Sequence, residues 1–300
     1  MKQQCSLCGS IDLATVFPLP LKNLGRSKYT AFTPTSSDFG IFYKLARCRS
    51  CGMQFAVLDG KDDIRGLYRD SSDTVYLAQE QDRGIAYKRI ISELKAFMPA
   101  GSRLLDIGCS YGFFIKAAKA SGFSVYGVEA SSHAAEYCRK QGLGVFSGEI
   151  RQAEMPPESF DIICAIEVIE HLEDIRSFIS EVYRILKPGG IFYVVTPNIR
   201  SFSGRVLGRH SWAYRRMHLQ YFSRKTLHSF LKRNGFAIIK SSVYKKSFRL
   251  GYALSQLSRS NYSRLFYYLF RGLVRGLRLD NLRVTASFGD IAVMAKKQVY

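Results

Sequence analysis

The sequence predicts an α/β protein built on a doubly wound parallel sheet, preceded by a metal-binding segment and interrupted near its end by a basic helical insertion. Three observations carry this reading. Short β-type apolar runs alternate with helical patterns from Arg103 onward, two C-x-x-C pairs occur by Cys51, and the basic excess is confined to the C-terminal third. The 300 residues, 47% hydrophobic, can form one large domain and a smaller one, which excludes a disordered or fibrous chain. We read 1–60 as the metal-binding subdomain, 61–100 as a helical connection, and 101–300 as the main domain with an insertion at 244–283. No apolar run reaches the length of a membrane span and the start lacks a signal-type stretch, so a cytoplasmic protein is expected.

The first cysteine pair is Cys5-Ser6-Leu7-Cys8-Gly9 and the second Cys48-Arg49-Ser50-Cys51-Gly52. In each, the glycine after the second cysteine permits the tight turn that aims two thiolates at one ion. Cys5, Cys8, Cys48 and Cys51 together make a closed tetrahedral set, so the expected Zn²⁺ is structural and leaves no position for substrate. Cys109, Cys138 and Cys164 have no partner at ligand spacing and read as packing residues.

From there strand and helix patterns alternate: strand 104–107, helix 113–120, strand 125–128, helix 134–141, strands 145–146 and 160–165, helix 175–186, strand 190–196. Sheets of this kind bind ligands at the carboxyl ends of their strands. The first strand runs into Asp106-Ile107-Gly108-Cys109-Ser110-Tyr111-Gly112. Gly108 and Gly112 let the backbone turn sharply and approach a ligand, while the following helix offers its amino end to an anionic group. Glu129 closes the second strand, with Ala130-Ser131-Ser132 as a helix cap. A carboxylate about twenty residues after such a turn can accept both hydroxyl protons of a ribose, so a nucleoside-bearing cofactor is expected. Ser110 stands where a dinucleotide fingerprint has its middle glycine, and the last glycine comes one residue early. That turn suits S-adenosylmethionine better.

The segment from about Ala100 to Val243 resembles the class I S-adenosylmethionine-dependent methyltransferases. The resemblance rests on Leu105 to Gly112, Val128-Glu129-Ala130-Ser131, Phe160-Asp161-Ile162-Ile163, Ile166-Glu167-Val168-Ile169-Glu170-His171-Leu172 and Arg184-Ile185-Leu186-Lys187-Pro188-Gly189-Gly190, in that order. It implies a Rossmann-like sheet of seven strands, the sixth at 236–239 and an antiparallel seventh at 287–295. It implies further that Asp106, Gly108, Cys109, Ser110 and Gly112 frame the methionine part of the cofactor and that Glu129 and Ala130 hold the ribose. Gly148, Glu149 and Ile150 would flank the adenine, and Glu167 would lie near the cofactor. The order of zinc ribbon and methyltransferase is similar to a subfamily that methylates nucleotide-linked sugars, related glycans and natural-product intermediates. Its His-x-x-Tyr-Phe-Ser segment is matched by His218-Leu219-Gln220-Tyr221-Phe222-Ser223. The sugar C-methyltransferases place a Glu before that His and carry a further C-terminal domain; here Met217 stands before His218 and 300 residues leave no room for one. Methylation at oxygen or nitrogen is therefore expected ahead of carbon.

Methyl transfer is an in-line displacement, so the enzyme must align the acceptor and, for a hydroxyl or carbon acid, take a proton. His218 is the first candidate base and His171 the second. Glu167, Glu170 and His171 stand at i, i+3 and i+4 and on a helical turn could bind Mg²⁺, as a similar array does in ubiquinone-pathway O-methyltransferases. Trp212 can stack on a sugar or base while Arg215 and Arg216 hold phosphate, and Tyr221 of the His-x-x-Tyr segment is grouped with these acceptor contacts.

The formal charge of +20 is uneven: Val182 to Leu279 holds 20 Lys/Arg and no Asp or Glu, and the rest is balanced. Such asymmetry points to an anionic partner. Within the insertion Phe266, Leu269, Phe270, Leu273 and Leu277 fall on one helical side, with Arg264, Arg271, Arg275 and Arg278 on another. This basic amphipathic helix, around 262–278, can act as a lid or as an element at the inner membrane surface. The leading function is methyl transfer to a small phosphorylated or glycan-type acceptor. RNA as acceptor and a non-catalytic cofactor-binding scaffold are the alternatives; no RNA-binding motif accompanies the charge.

Overall fold

The structure is a computed structural model that describes residues 3–17, 43–58, 66, 69, 74–77, 79–208, 211, 213–215, 217–252 and 271–299. Its centre is a seven-stranded sheet ordered β10-β13-β8-β7-β4-β5-β6. These are β4 (Arg103–Ile107), β5 (Ser124–Glu129), β6 (Val145–Ser147), β7 (Phe160–Ile166), β8 (Leu186–Pro197), β10 (Phe236–Val243) and β13 (Asp290–Lys297). The five strands from β8 to β6 run parallel, and β13 enters antiparallel between β8 and β10. The order reverses at β4, which pairs with β7 on one side and β5 on the other. A crevice therefore opens beyond the carboxyl ends of β4 and β5, where the glycine turn and Glu129 stand.

Burial on both faces explains why β4, β7 and β8 read as nearly continuous apolar runs: Leu104, Leu105, Ile162, Ile163, Phe192 and Val194 are all buried. The covering helices are α1 (Glu80–Lys95), α2 (Phe113–Ala120), α3 (Ser132–Lys140), α4 (Ile175–Ile185) and α6 (Arg224–Arg233); α5 (Phe202–Leu207) is a shorter piece. Local chemistry sets their starts. Ser131 accepts from Ala134 N at α3, Asp174 from Arg176 N and Ser177 N at α4, and Ser223 forms a capping box with Thr226 at α6.

A second sheet joins β1 (Leu13–Phe17), β2 (Lys44–Cys48), β3 (Gln54–Val57) and β9 (Gln220–Tyr221), in that order. Its last member lies in the His-x-x-Tyr segment, which ties the cysteine-bearing hairpins to the main domain through Gln54↔Tyr221 and Phe55↔Gln220. Arg176 of α4 reinforces the seam by donating to the carbonyls of Ser6 and Cys5 at 2.8 and 2.9 Å. Nothing in the sequence spacing announces this shared sheet.

The insertion differs from a plain helix. It opens and closes with a hairpin, β11 (Lys246–Arg249) against β12 (Arg283–Ala286), forming a third, two-stranded sheet. The described helical parts of the insertion are 250–252 and 271–276, while 253–270, and with it most of the expected amphipathic helix, lies outside the described residues. The last strand begins at Asp290 rather than Ser287, and β8 begins at Leu186, which pairs with Phe160 ahead of a register shift that spans Lys187 to Gly190.

Candidate active site

The turn after β4 is held in a conformation that requires its glycines. Gly108 and Gly112 have φ of +71° and +76°, and Ser110 between them has φ of +49°. A Cβ on Gly108 would stand 2.6 Å from Val168 Cγ2, and one on Gly112 2.8 Å from both Cys138 Sγ and Leu143 Cδ1. Cys109 and Cys138 are buried behind the turn, and Cys138 Sγ donates to Ser110 O at 3.2 Å. They pack the turn, as the sequence suggests, and Cys164 is equally buried in β7.

Glu129 ties the end of β5 to this turn. Its two carboxylate oxygens accept from Ser110 N at 2.7 Å and Ser131 N at 2.8 Å. Burial raises its pKa, against these amides, which favour the ionised form. Each oxygen keeps a further lone pair, so two ribose hydroxyls can still be accepted. Asp106 is buried, and its Oδ1 has no hydrogen-bond partner among the described residues. Burial, with the charge of Glu129, pushes its pKa well above the usual carboxylate range. An orphaned acceptor beside a glycine turn and a half-buried glutamate is what a ligand with amino and hydroxyl hydrogens would satisfy, so the residues fit S-adenosylmethionine. Gly148 N donates to Glu129 O at 2.8 Å, which brings 148–150 to the same edge. There Ile150 is buried, whereas exposed Glu149 caps the short helical turn Ile150–Ala153 together with Gln152. Ala130 is half-buried beside the cap of α3.

Glu167 closes the site from the end of β7, at a φ of +60°. Its carboxylate is ion-paired with Lys246 of β11 and lies 3.7 Å from Arg83 Nη1 of α1. Burial alone would raise its pKa, but Lys246 and Arg83 outweigh burial and lower it to about 2. Lys246 also reaches Asp290 at 2.9 Å, and its own pKa is raised by these carboxylates despite burial. Arg83 in turn lies 4.0 Å above the ring of Tyr76, which stacks on Phe113 of α2. Sequence reasoning missed Arg83, Lys246 and Asp290. Lys246 looks like any other cation in a basic run, and Asp290 had the only signal, an acidic residue heading an apolar strand.

The left-handed backbone at Glu167 leaves it outside the short helical turn Ile169–His171. The expected shared face of Glu167, Glu170 and His171 is therefore not formed. The donor atoms that do converge are those of Glu170, His171 and His218, within 4.8 Å of one another. Glu170 is buried and accepts from Thr196 Oγ1 at 2.9 Å; burial, then the charge of Glu167, raises its pKa to about 8.

The two histidines meet edge to face, with ring centres 4.9 Å apart. Nδ1 of His218 lies 2.7 Å from Ala213 O and Nδ1 of His171 lies 2.9 Å from Met217 O. A carbonyl only accepts, so both rings carry their proton on Nδ1 and a lone pair on Nε2. Burial lowers both pKa values, to about 4 for His171 and well below the ordinary value for His218, helped by Arg215. Both imidazoles are thus neutral near pH 7.

Tyr221 departs from its expected place among acceptor contacts. It is buried, stacked on Tyr214 with centres 5.2 Å apart, and its hydroxyl donates to Arg215 O at 3.2 Å. It braces the loop that carries His218. Arg215 is half-buried and near enough to Glu167, His171 and His218 to influence all three. Trp212 and Arg216 lie outside the described residues.

The four cysteines of the N-terminal hairpins converge. Cys5 Sγ lies 3.5 Å from Cys51 Sγ, and Cys8 Sγ 3.5 Å from Cys48 Sγ, with all four sulfurs within 4.8 Å. Edges of about 3.7 Å follow from tetrahedral geometry at the Zn–S bond length, so the set fits a structural zinc.

Comparison with known proteins agrees with this geometry. The chain is 40% identical over 104 residues to a ubiquinone biosynthesis O-methyltransferase of Chelativorans, covering 33% of this chain and 41% of that protein. It is 34% identical over 103 residues to a sterol 24-C-methyltransferase of Gibberella zeae, covering 31% and 27%. The matched part thus spans less than half of these curated relatives. Among solved structures, an S-adenosylmethionine-dependent methyltransferase from Archaeoglobus fulgidus superposes with a TM-score of 0.52 at 22% identity, covering 75% of this chain and all of that one, a likeness of fold. Residues 78–241 match the methyltransferase domain family, and with the glycine turn, Glu129 and the seven-stranded order in place, the chain belongs to that family.

Proposed function

We propose that this protein transfers the methyl group of S-adenosylmethionine to oxygen or nitrogen of a small anionic acceptor, a nucleotide-linked or lipid-linked sugar or a related glycan or metabolite intermediate. The observation that carries the reading is the fixed tautomer of His218. A buried, neutral imidazole whose Nδ1–H is spent on Ala213 O presents Nε2 as a base beside the cofactor end of the sheet. Bound S-adenosylmethionine supplies an electrophilic methyl group. The chain's own residues do the rest. Asp106, the glycine turn and Glu129 orient the cofactor, Glu167 is fixed by Lys246 and Arg83 at the rim, and His218 takes the acceptor proton. The basic run from Val182 to Leu279, Arg215 included, supports an acidic acceptor. Zinc on Cys5, Cys8, Cys48 and Cys51 is structural in this reading and takes no part in the chemistry.

The test uses methyl-labelled S-adenosylmethionine with an extract of the source organism, sorting label into water-soluble molecules, lipid and RNA, with His218→Ala as control. Label in the soluble or lipid pool supports the proposal. Label in RNA overturns the acceptor class, and no label in any pool overturns catalysis.

A further inference from the structure

Helix α5 is built inside out. Its inner side is made of small residues: Ser201 caps it by accepting from Gly204 N at 3.0 Å, Ser203 donates to Phe288 O at 2.8 Å, and Gly204 is buried against Ile199 O. A Cβ at Gly204 would meet that carbonyl oxygen at 2.6 Å, so the helix sits tightly on the segment that leads into it. Its large apolar residues point the other way. Phe202 is 84% exposed and Val206, one turn on, 66% exposed, with Leu207 beside them. A helix that turns half-buried serines and a buried glycine inward while leaving phenylalanine and valine in water reverses the ordinary rule and marks an interaction surface. Arg200 and Arg205 flank the patch and are exposed.

The described end of the insertion repeats the pattern. Val274 is buried, while Leu273 and Leu277, also one turn apart, are each 58% exposed, with Arg275 and Arg278 exposed among them. Both pieces are anchored at one place. Ser203 of α5 bonds to Phe288, and Phe248 of the hairpin that carries the insertion packs at a tilt against the Phe288 ring with centres 4.9 Å apart. Phe288 lies two residues before Asp290, the partner of Lys246 at the rim of the site.

We infer that α5, with the end of the insertion as a second contact, seats this protein on an anionic phospholipid surface. Phe202 and Val206 enter the headgroup layer while Arg200 and Arg205 meet lipid phosphates. Charge decides the occupant. From Val182 to Leu279 there is no acidic side chain to repel an anionic leaflet, and the apolar residues give what a purely ionic contact with a nucleic acid would not use. No described helix is long and apolar enough to cross a membrane, so the contact is interfacial. The inference rests on the proposed function in one respect: it selects the lipid-linked form of the acceptor.

The experiment is co-flotation of the full chain with phosphatidylcholine vesicles and with vesicles in which about a third of the lipid is phosphatidylglycerol. Wild type is expected to float with the anionic vesicles only, less so as salt rises. Phe202→Ser with Val206→Ser should weaken that binding by about tenfold for each residue that enters the lipid, while S-adenosylmethionine binding is retained. Arg200→Gln with Arg205→Gln should weaken it and flatten the salt dependence. Absence of anionic-vesicle binding by wild type overturns the inference, as does undiminished binding by the serine variant or tighter capture by RNA than by vesicles. Label transfer to a soluble acceptor without vesicle binding removes this inference and leaves the proposed function; vesicle binding without any label transfer does the reverse.

Discussion

Ser6, between the first two zinc-type cysteines, donates its hydroxyl to Gln220 Oε1 at 2.8 Å. Gln220 lies two residues beyond His218, and its Nε2 donates to Leu172 O at 3.0 Å, next to His171. Leu219 between them donates from its backbone N to Glu170 O and accepts from Ala56 N. The cysteine hairpins therefore fix the short strand that directly follows the candidate base. Metal analysis should find about one zinc per chain, and Cys48→Ser should lose it. Because the ion holds the hairpins and the hairpins hold β9, loss of zinc should lower kcat by about 10²-fold, the cost of a misplaced catalytic group, with S-adenosylmethionine affinity little changed. Wild-type protein without metal, or full turnover after zinc is chelated from the folded protein, would show that the ribbon does not position His218.

Gly108→Val tests the cofactor turn. The backbone at Gly108 is left-handed, and the new side chain would collide with Val168. Strain of about 1–3 kcal/mol applied where the ligand must approach should weaken S-adenosylmethionine binding by roughly fivefold to more than a hundredfold, measured by calorimetry. Retained affinity would place the methionine end of the cofactor elsewhere.

His218→Ala separates binding from chemistry. Cofactor affinity should persist, since no atom of the glycine turn or Glu129 bonds to His218 among the described residues, and kcat should fall by about 10²–10⁴-fold. His171→Ala should cost less, because its role in the proposal is to pack against His218 and brace Met217 O. Full turnover by His218→Ala would assign the base to another residue.

The turn after β4 and its tie to Glu129 are legible in the sequence because their determinants are local. Asp106, Gly108, Gly112 and Glu129 lie within one strand–turn–helix–strand stretch, where period and glycine spacing report the backbone directly, and α2 spans Phe113–Ala120 as the pattern predicts. The surroundings of Glu167 and His218 are legible only in part because their geometry is assembled from distant segments. Lys246 finds Glu167 across 79 positions, and Gln54 finds Tyr221 through a strand of two residues. Tyr221 reads as an acceptor contact because a motif gives residue types but not which side chain faces the core. Glu167 groups with Glu170 and His171 in the sequence because i, i+3, i+4 spacing presumes helical dihedrals, and Glu167 at φ of +60° does not have them.

The buried acid and imidazole leave opposite marks on stability against pH. His171 has its folded pKa lowered to about 4 by burial, so below its unfolded value near 6.5 the unfolded chain binds the extra proton, and stability falls as pH drops through that window. Glu170 has its folded pKa raised to about 8, chiefly by burial, so above about 4.5 the unfolded chain is the one that ionises, and stability falls as pH rises toward 8. Between about 4.5 and 6.5 the two slopes oppose each other, and from 6.5 to 8 that of Glu170 stands alone. Glu170→Gln keeps the shape and removes the titration. It should be more stable than wild type at pH 8 by an amount on the order of a few kcal/mol, and within about 1 kcal/mol of it at pH 5. Urea unfolding at the two pH values measures both differences, and parallel pH profiles for the two proteins would mean that Glu170 is ionised in the folded state.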